Sequence, residues 1–330
     1  MKTRKAPRSK LDITILKQGF PSKHVLSTSF FTMKDAYRPL GQYQHNVIRF
    51  LKQKNSLKGF ETRIYTDDTG KDFLLDVTKM DPSVTIIHVQ DARFRDGSGH
   101  IGTFATFLRF LPLFEPGLET VWVSDIDIPD SYLNSSILTT MKARKAEFSY
   151  MSFVCYDKKV YGRAYTILAG TMISFHTFPK QLFTRFLTLL QHPTKPLQHM
   201  IDQLNKVNTE RGKPPSTIPY GTDEIFTNGP LYNYLIKESI SCLIRKDSEY
   251  ARTYLYGIRT KQDDQLFEAY YRHPTQHNFE QVKRIFKQKL PLLADRPICI
   301  QEMLRRMDSF KTSFVKTFVK TGKELDTIEA

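Results

Sequence analysis

Apolar residues fall into short runs and helical stripes that alternate through roughly the first 130 positions of the chain. His24–Phe31 (HVLSTSFF) is rich in β-branched and aromatic residues and predicts a strand. Phe60–Thr66 and Val84–Val89 predict two more. Between the first two, Asp35–Gly41 holds Pro39 and Gly41 and predicts a loop. Tyr43, Val47, Phe50 and Leu51 then recur at helical spacing across Gln42–Lys54, with Gly59 placed to end that helix. Ile101, Phe104, Leu108 and Leu111 share one face across His100–Phe114, and Pro116-Gly117 turns the chain. Thr120–Ile128 (TVWVSDIDI) predicts a fourth strand. Strands and helices alternating at these intervals predict an α/β fold, with a mixed, mainly parallel sheet flanked by helices.

The second half is less regular. Ile167–Phe175 predicts a strand and Pro179–Gln191 a helix. Residues 192–219 hold five prolines and many polar groups, which predicts a functional loop. Gly221–Tyr234 predicts a turn into a helix. Helical stripes return at Phe279–Lys289 and Ile298–Lys320, giving a helical C-terminal extension over 278–330. There is no internal repeat. The expected organisation is a basic tail at 1–10, one domain at 11–277 and that extension.

Composition adds limits. At 330 residues, with 40% hydrophobic and 12% aromatic residues, the chain can build a large core and is not generally disordered. A net charge of +15 predicts attraction to anions such as nucleotides, nucleic acid or acidic membranes. Cys155, Cys242 and Cys299 are odd in number and far apart, a pattern that suggests neither a disulfide framework nor a CxxC zinc site. Met1–Lys10 is basic without an apolar run, and no segment nears the ~20 apolar residues of a membrane span. A soluble cytoplasmic protein is expected. Lys311, Lys316 and Lys320 flank an aromatic stripe, which would allow peripheral membrane contact if the extension does not simply cap the domain.

The candidate chemistry centres on Asp125-Ile126-Asp127. Alternate residues of a strand share a face, so both carboxylates are expected to point the same way at the carboxyl end of a buried strand. That edge is where open parallel sheets bind ligands. Two facing carboxylates repel unless a cation lies near, and Mn²⁺ or Mg²⁺ suits oxygen ligands while keeping positions for phosphates. The other reading is a solvated strand end with two surface acids.

The surrounding order carries a resemblance. Phe107-Leu108-Arg109-Phe110-Leu111-Pro112 followed by Leu118–Asp127, then Leu168-Ala169-Gly170-Thr171-Met172-Ile173, then Tyr220-Gly221-Thr222-Asp223-Glu224-Ile225-Phe226-Thr227-Asn228, resembles the GT-A glycosyltransferases of the glycogenin and bacterial galactosyltransferase type. The resemblance spans roughly residues 24–235. It implies a GT-A (Rossmann-like) fold, a nucleotide-diphosphosugar donor (usually a UDP-sugar), and Mn²⁺ or Mg²⁺ on Asp125 and Asp127. It also implies a hydroxyl acceptor on a glycan, protein or small molecule. It places Ser27, Thr28, Ser29 and Phe30 at the base, and Arg109, Ser124, Asp125, Gly170 and Thr171 along the donor. Asp223 and Glu224 become the catalytic candidates, as a general base or as residues holding the sugar. The family's late His-containing segment is not recognisable, and His273 and His277 are the nearest candidates for a third metal ligand.

Other residues have plainer readings. Asp67 and Asp68 begin an Asp-Asp-Thr-Gly turn. Thr222 and the two acids after it also suit a helix start. Gly97-Ser98-Gly99 before His100 could seat a phosphate but matches no phosphate-loop pattern. Lys71, Arg93 and Arg95 are possible anion contacts with no motif behind them. Two other function classes fit part of the pattern. One is a nucleic-acid-binding protein, favoured by the charge but lacking any recognised module. The other is a different phosphate-processing metal enzyme such as a nucleotidyltransferase.

Overall fold

A computed structural model describes residues 12–31, 40–90, 102–128, 132–152, 167–210, 215–246 and 315–318. The chain divides into two compact units, one of 1–148 with 169–238 and one of 149–168 with 239–330.

The strands are β1 (Asp12–Lys17), β2 (His24–Phe30), β3 (Glu61–Thr66), β4 (Val84–Gln90), β5 (Thr120–Ser124), β6 (Phe148–Ser152), β7 (Ile167–Ser174), β8 (Cys242–Lys246) and β9 (Val315–Phe318). The helices are α1 (Leu40–Gln53), α2 (Lys71–Val77), α3 (Gly102–Leu108), α4 (Ser136–Ala143), α5 (Lys180–Gln191), α6 (Lys195–Glu210), α7 (Thr222–Phe226) and α8 (Tyr232–Lys237).

In the first unit the strands run in the order β1-β4-β3-β2-β5-β7. The central pairs β4–β3, β3–β2 and β2–β5 are parallel, while β1 and β7 join antiparallel. This is a mixed, mainly parallel α/β sheet flanked by helices, as the alternating pattern predicts. β2 and β5 are buried along almost their whole length, as expected of parallel strands covered on both faces. On one face, α1 seats Tyr43, Val47 and Phe50 at i, i+4 and i+7, all buried. In the second unit β8 pairs antiparallel with β9.

Several expectations need correction. The helix expected over His100–Phe114 is broken: α3 stops at Leu108, and Leu111–Phe114 is a 3₁₀ turn. Pro112 lacks the N–H that a continuing α-helix would use. Leu40 and Gly41 begin α1 instead of closing a loop. α1 gives way to a 3₁₀ turn at Lys54–Ser56, so Gly59, at φ 81°, turns the chain into β3 instead of capping the helix. The proline-rich stretch 192–219 is not a loop throughout, because Lys195–Glu210 forms the 16-residue helix α6. Pro196 lies in its first turn, where a missing N–H costs nothing, and Leu197, Ile201 and Asn208 are buried along it. Val315–Phe318 is a strand, where the stripe predicts the end of a helix. The rest of the predicted extension, the helix 279–289, the basic tail, Cys155, Cys299, Arg93, Arg95, Gly97–His100 and His277 all lie outside the described residues. Among the described residues no helix is long and apolar enough to cross a membrane.

Candidate functional site

The carboxyl ends of β2 and β5 carry the expected residues. β5 ends at Ser124, one residue before the first aspartate. The expected strand through Ile128 is therefore too long, and Asp127 lies in a turn whose direction the strand pleat does not set. Asp125 stays tied to the sheet because its N–H donates to the Gly170 carbonyl at 2.7 Å. Ile126 and Ile128 are each 4% exposed, anchoring the turn on either side of the exposed Asp127.

Arg109 organises the site. It follows α3 directly and is 4% exposed. Its Nη1 lies 2.5 Å from Asp125 Oδ1, and its Nη2 lies 2.9 Å from Asp223 Oδ2. Nη2 also donates to the Ala169 carbonyl at 3.0 Å. Its own carbonyl accepts a 2.7 Å hydrogen bond from Ser27 Oγ. The guanidinium thus joins the end of β5, β7 and α7, and the backbone carbonyl of the same residue ties it to β2. Its side-chain partners are thus two carboxylates, which a guanidinium fork suits.

Aromatic packing holds Arg109 and Asp223 in reach of each other. Phe226, one turn after Asp223, is fully buried. Its ring packs against Phe107, Phe110 and Phe114 beside Arg109, at centroid separations of 6.3, 5.7 and 6.2 Å. It also meets Phe183 and Phe186 of α5 at 5.9 and 5.2 Å. Aromatic pairs at such separations contribute about 0.5–1.5 kcal/mol each beyond the area they bury.

Two glycines shape the site. Gly221 sits at φ 96°, a left-handed conformation that glycine adopts without strain, and it turns the chain into α7. Gly170 backs directly onto Asp125. A Cβ there would fall within contact distance of Asp125 Oδ2 and 3.3 Å from its Cγ. The absent side chain is what gives that carboxylate its place.

Asp223 is buried, and its second oxygen accepts the Glu224 N–H at 3.1 Å. Glu224 beside it is half-buried. Ser124 is buried with Oγ donating to the Asp125 carbonyl at 2.8 Å. Thr171 is 3% exposed and Thr28 fully buried, and the Oγ1 of each has no hydrogen-bond partner among the described residues. Among the residues expected at the base, Ser27, Thr28 and Phe30 are buried and Ser29 is half-buried. Asp67 does form the expected turn: its Oδ1 accepts from the Thr69 N–H and hydroxyl at 2.8 and 2.5 Å. Its Oδ2 is buried without a partner among the described residues. Asp68 pairs with Lys71 at 2.6 Å and His88 at 3.1 Å, so Lys71 has a partner in the protein itself.

Pattern reading missed Tyr43, whose hydroxyl donates to Asp127 Oδ2 at 3.1 Å, and Arg49, whose Nη2 donates to the Asp127 carbonyl at 3.3 Å. Tyr43 was legible only as a member of the apolar stripe of α1. His273 lies outside the described residues. Among the described residues no three His, Cys, Asp or Glu side chains converge as a metal-binding group.

No family model matches the chain, and no curated protein matches it. Among solved structures, the chain is similar to 4-diphosphocytidyl-2C-methyl-D-erythritol synthase from Anaerococcus prevotii, at 12% identity and a TM-score of 0.31. The match covers 64% of this chain and 97% of that one. A TM-score of 0.31 is too low to carry anything over to this chain.

Proposed function

We propose that the protein is a metal-dependent glycosyltransferase that moves a sugar from a nucleotide diphosphosugar, a UDP-sugar by preference, to a hydroxyl acceptor. The observation that carries this reading is the Arg109 guanidinium bridging Asp125 and Asp223 at the carboxyl end of a parallel sheet. It draws together, from three distant stretches, the residues that the sequence resemblance assigns to one donor site.

The donor set suits a hard divalent cation. Asp125 and Asp127 offer carboxylate oxygens two residues apart on one turn, and the cradle at Gly170 is shaped for the Asp125 carboxylate. Asp125 and Asp127 would hold Mn²⁺ or Mg²⁺. When bound, the ion supplies positive charge against the departing diphosphate.

The chain's own residues do the rest. Arg109 offsets part of the charge of Asp125 and Asp223 and fixes the direction of each. Asp223, with one oxygen on Arg109 and the other on a backbone N–H, is suited to orient a sugar hydroxyl. Glu224, half-buried next to it, is the candidate for taking the acceptor's proton as its oxygen bonds to the anomeric carbon and the bond to diphosphate breaks. His273 remains the candidate for a further metal ligand.

A donor panel tests the reading. The full chain is incubated with UDP- and GDP-sugars and Mn²⁺, and released sugar is followed by NMR. Slow hydrolysis of one donor, lost in Asp125→Asn, is the expected result. Turnover of a nucleoside triphosphate or phosphomonoester, with every sugar nucleotide left intact, would point to a different phosphate-processing enzyme.

A further inference from the structure

We infer that Tyr43, backed by Arg49, is a positioning residue that aims the Asp127 carboxylate, an inference that rests on the metal site proposed above. The need for such a residue follows from where β5 ends. The ladder to β2 runs out at Val123, and the ladder to β7 at Ser124, with one more backbone bond at Asp125. Asp127 is beyond all of these. The pleat that would place it on the same side as Asp125 does not reach it.

α1 supplies a constraint that the sheet does not. Val47 and Phe50 are fully buried, so the helix is pinned to the sheet one and two turns beyond Tyr43. The Tyr43 ring is 6% exposed and stacks on Phe30 at the end of β2, with centroids 6.3 Å apart and planes 25° from parallel. Its hydroxyl therefore has a fixed position, 3.1 Å from Asp127 Oδ2. A carboxylate has two oxygens, so holding Oδ2 sets the direction of Oδ1. Arg49 holds the same residue by its backbone carbonyl, at 3.3 Å. Two donors from one helix thus act on one residue, one on its carboxylate and one on its main chain. Groups that orient a metal-binding carboxylate in this way change metal affinity by about 10–100-fold when removed.

The test is direct Mn²⁺ binding to the full chain, with no nucleotide present, read from the loss of the free-ion EPR signal. Tyr43→Phe keeps the ring on Phe30 and removes only the hydroxyl. The expected result is a Kd raised about tenfold or more, with an unchanged melting temperature. Asp127→Asn is then combined with Tyr43→Phe: the second change is expected to add nothing, because its effect passes through the Asp127 carboxylate. Equal Mn²⁺ affinity for the wild type and Tyr43→Phe would overturn the positioning role while leaving the metal site intact. An additive loss in the double variant would overturn it as well, because Tyr43 would then act on something other than Asp127. A wild-type chain that binds no Mn²⁺ would overturn the metal site and this role together.

Discussion

Arg109 and Asp223 lie 114 positions apart in the chain, yet they form an ion pair 2.9 Å long with both side chains largely out of water. The same guanidinium reaches Asp125, so one cation is shared by two carboxylates. Removing one partner of a buried pair leaves charge that the interior cannot solvate. Arg109→Met is expected to destabilise the protein by about 3 kcal/mol. Arg109→Lys keeps the charge but cannot bridge two carboxylates in a fork, so it should recover only part of that loss. Urea denaturation of the three proteins checks this, and equal midpoints would refute it.

Gly170 makes a separate prediction. A Cβ there intrudes on the Asp125 carboxylate, which is also held by Arg109 and cannot simply swing aside. Gly170→Ala is expected to cost about 1–3 kcal/mol through overpacking. It should weaken Mn²⁺ binding by more than that loss of stability explains. The same substitution at Gly117, where a Cβ meets nothing within 4 Å among the described residues, separates the two effects. Gly117 has φ 89°, so Gly117→Ala is expected to lose stability through backbone strain while keeping metal affinity.

A pH dependence follows from Asp81. Burial pushes its carboxyl up, but hydrogen bonds from Lys54 and Ser83 outweigh that and hold it below its usual value. A carboxyl held low in the folded state adds stability above its unfolded pKa of about 4. That contribution is lost as pH falls through the lower folded value. The melting temperature should therefore drop on the acid side. Asp81→Asn should be less stable near pH 7 and fall less steeply between about pH 5 and 3. Parallel curves for the two proteins would show that Asp81 contributes nothing to the slope.

Much of the fold was legible because its signals are local. β2, β3, β4 and β5 are apolar runs bounded by turn residues, and α1 and α5 carry clear stripes. The candidate site was partly legible for the same reason: Asp125 and Asp223 sit at ends of elements that can be read from the chain, and Gly170 interrupts an apolar strand. What the pattern could not give was contact across the sheet. Nothing in Tyr43 separates a core tyrosine from one whose hydroxyl holds Asp127, and nothing in Arg109 names its two partners. β1 escaped because its residues are largely exposed, so DITILK carries no buried face to read. α6 escaped because prolines at its start and beyond its end read as loop, though the residues between them keep helical spacing.

The central claim, a nucleotide-sugar site on Asp125 and Asp127, is tested most directly by thermal shift with UDP and Mn²⁺. The wild type should melt several degrees higher with both present than with either alone, since a ligand at 100 times its Kd stabilises the folded state by about 2.7 kcal/mol. Asp125→Asn with Asp127→Asn should abolish the rise. No stabilisation by any nucleotide or nucleotide sugar, with or without the metal, would contradict the account.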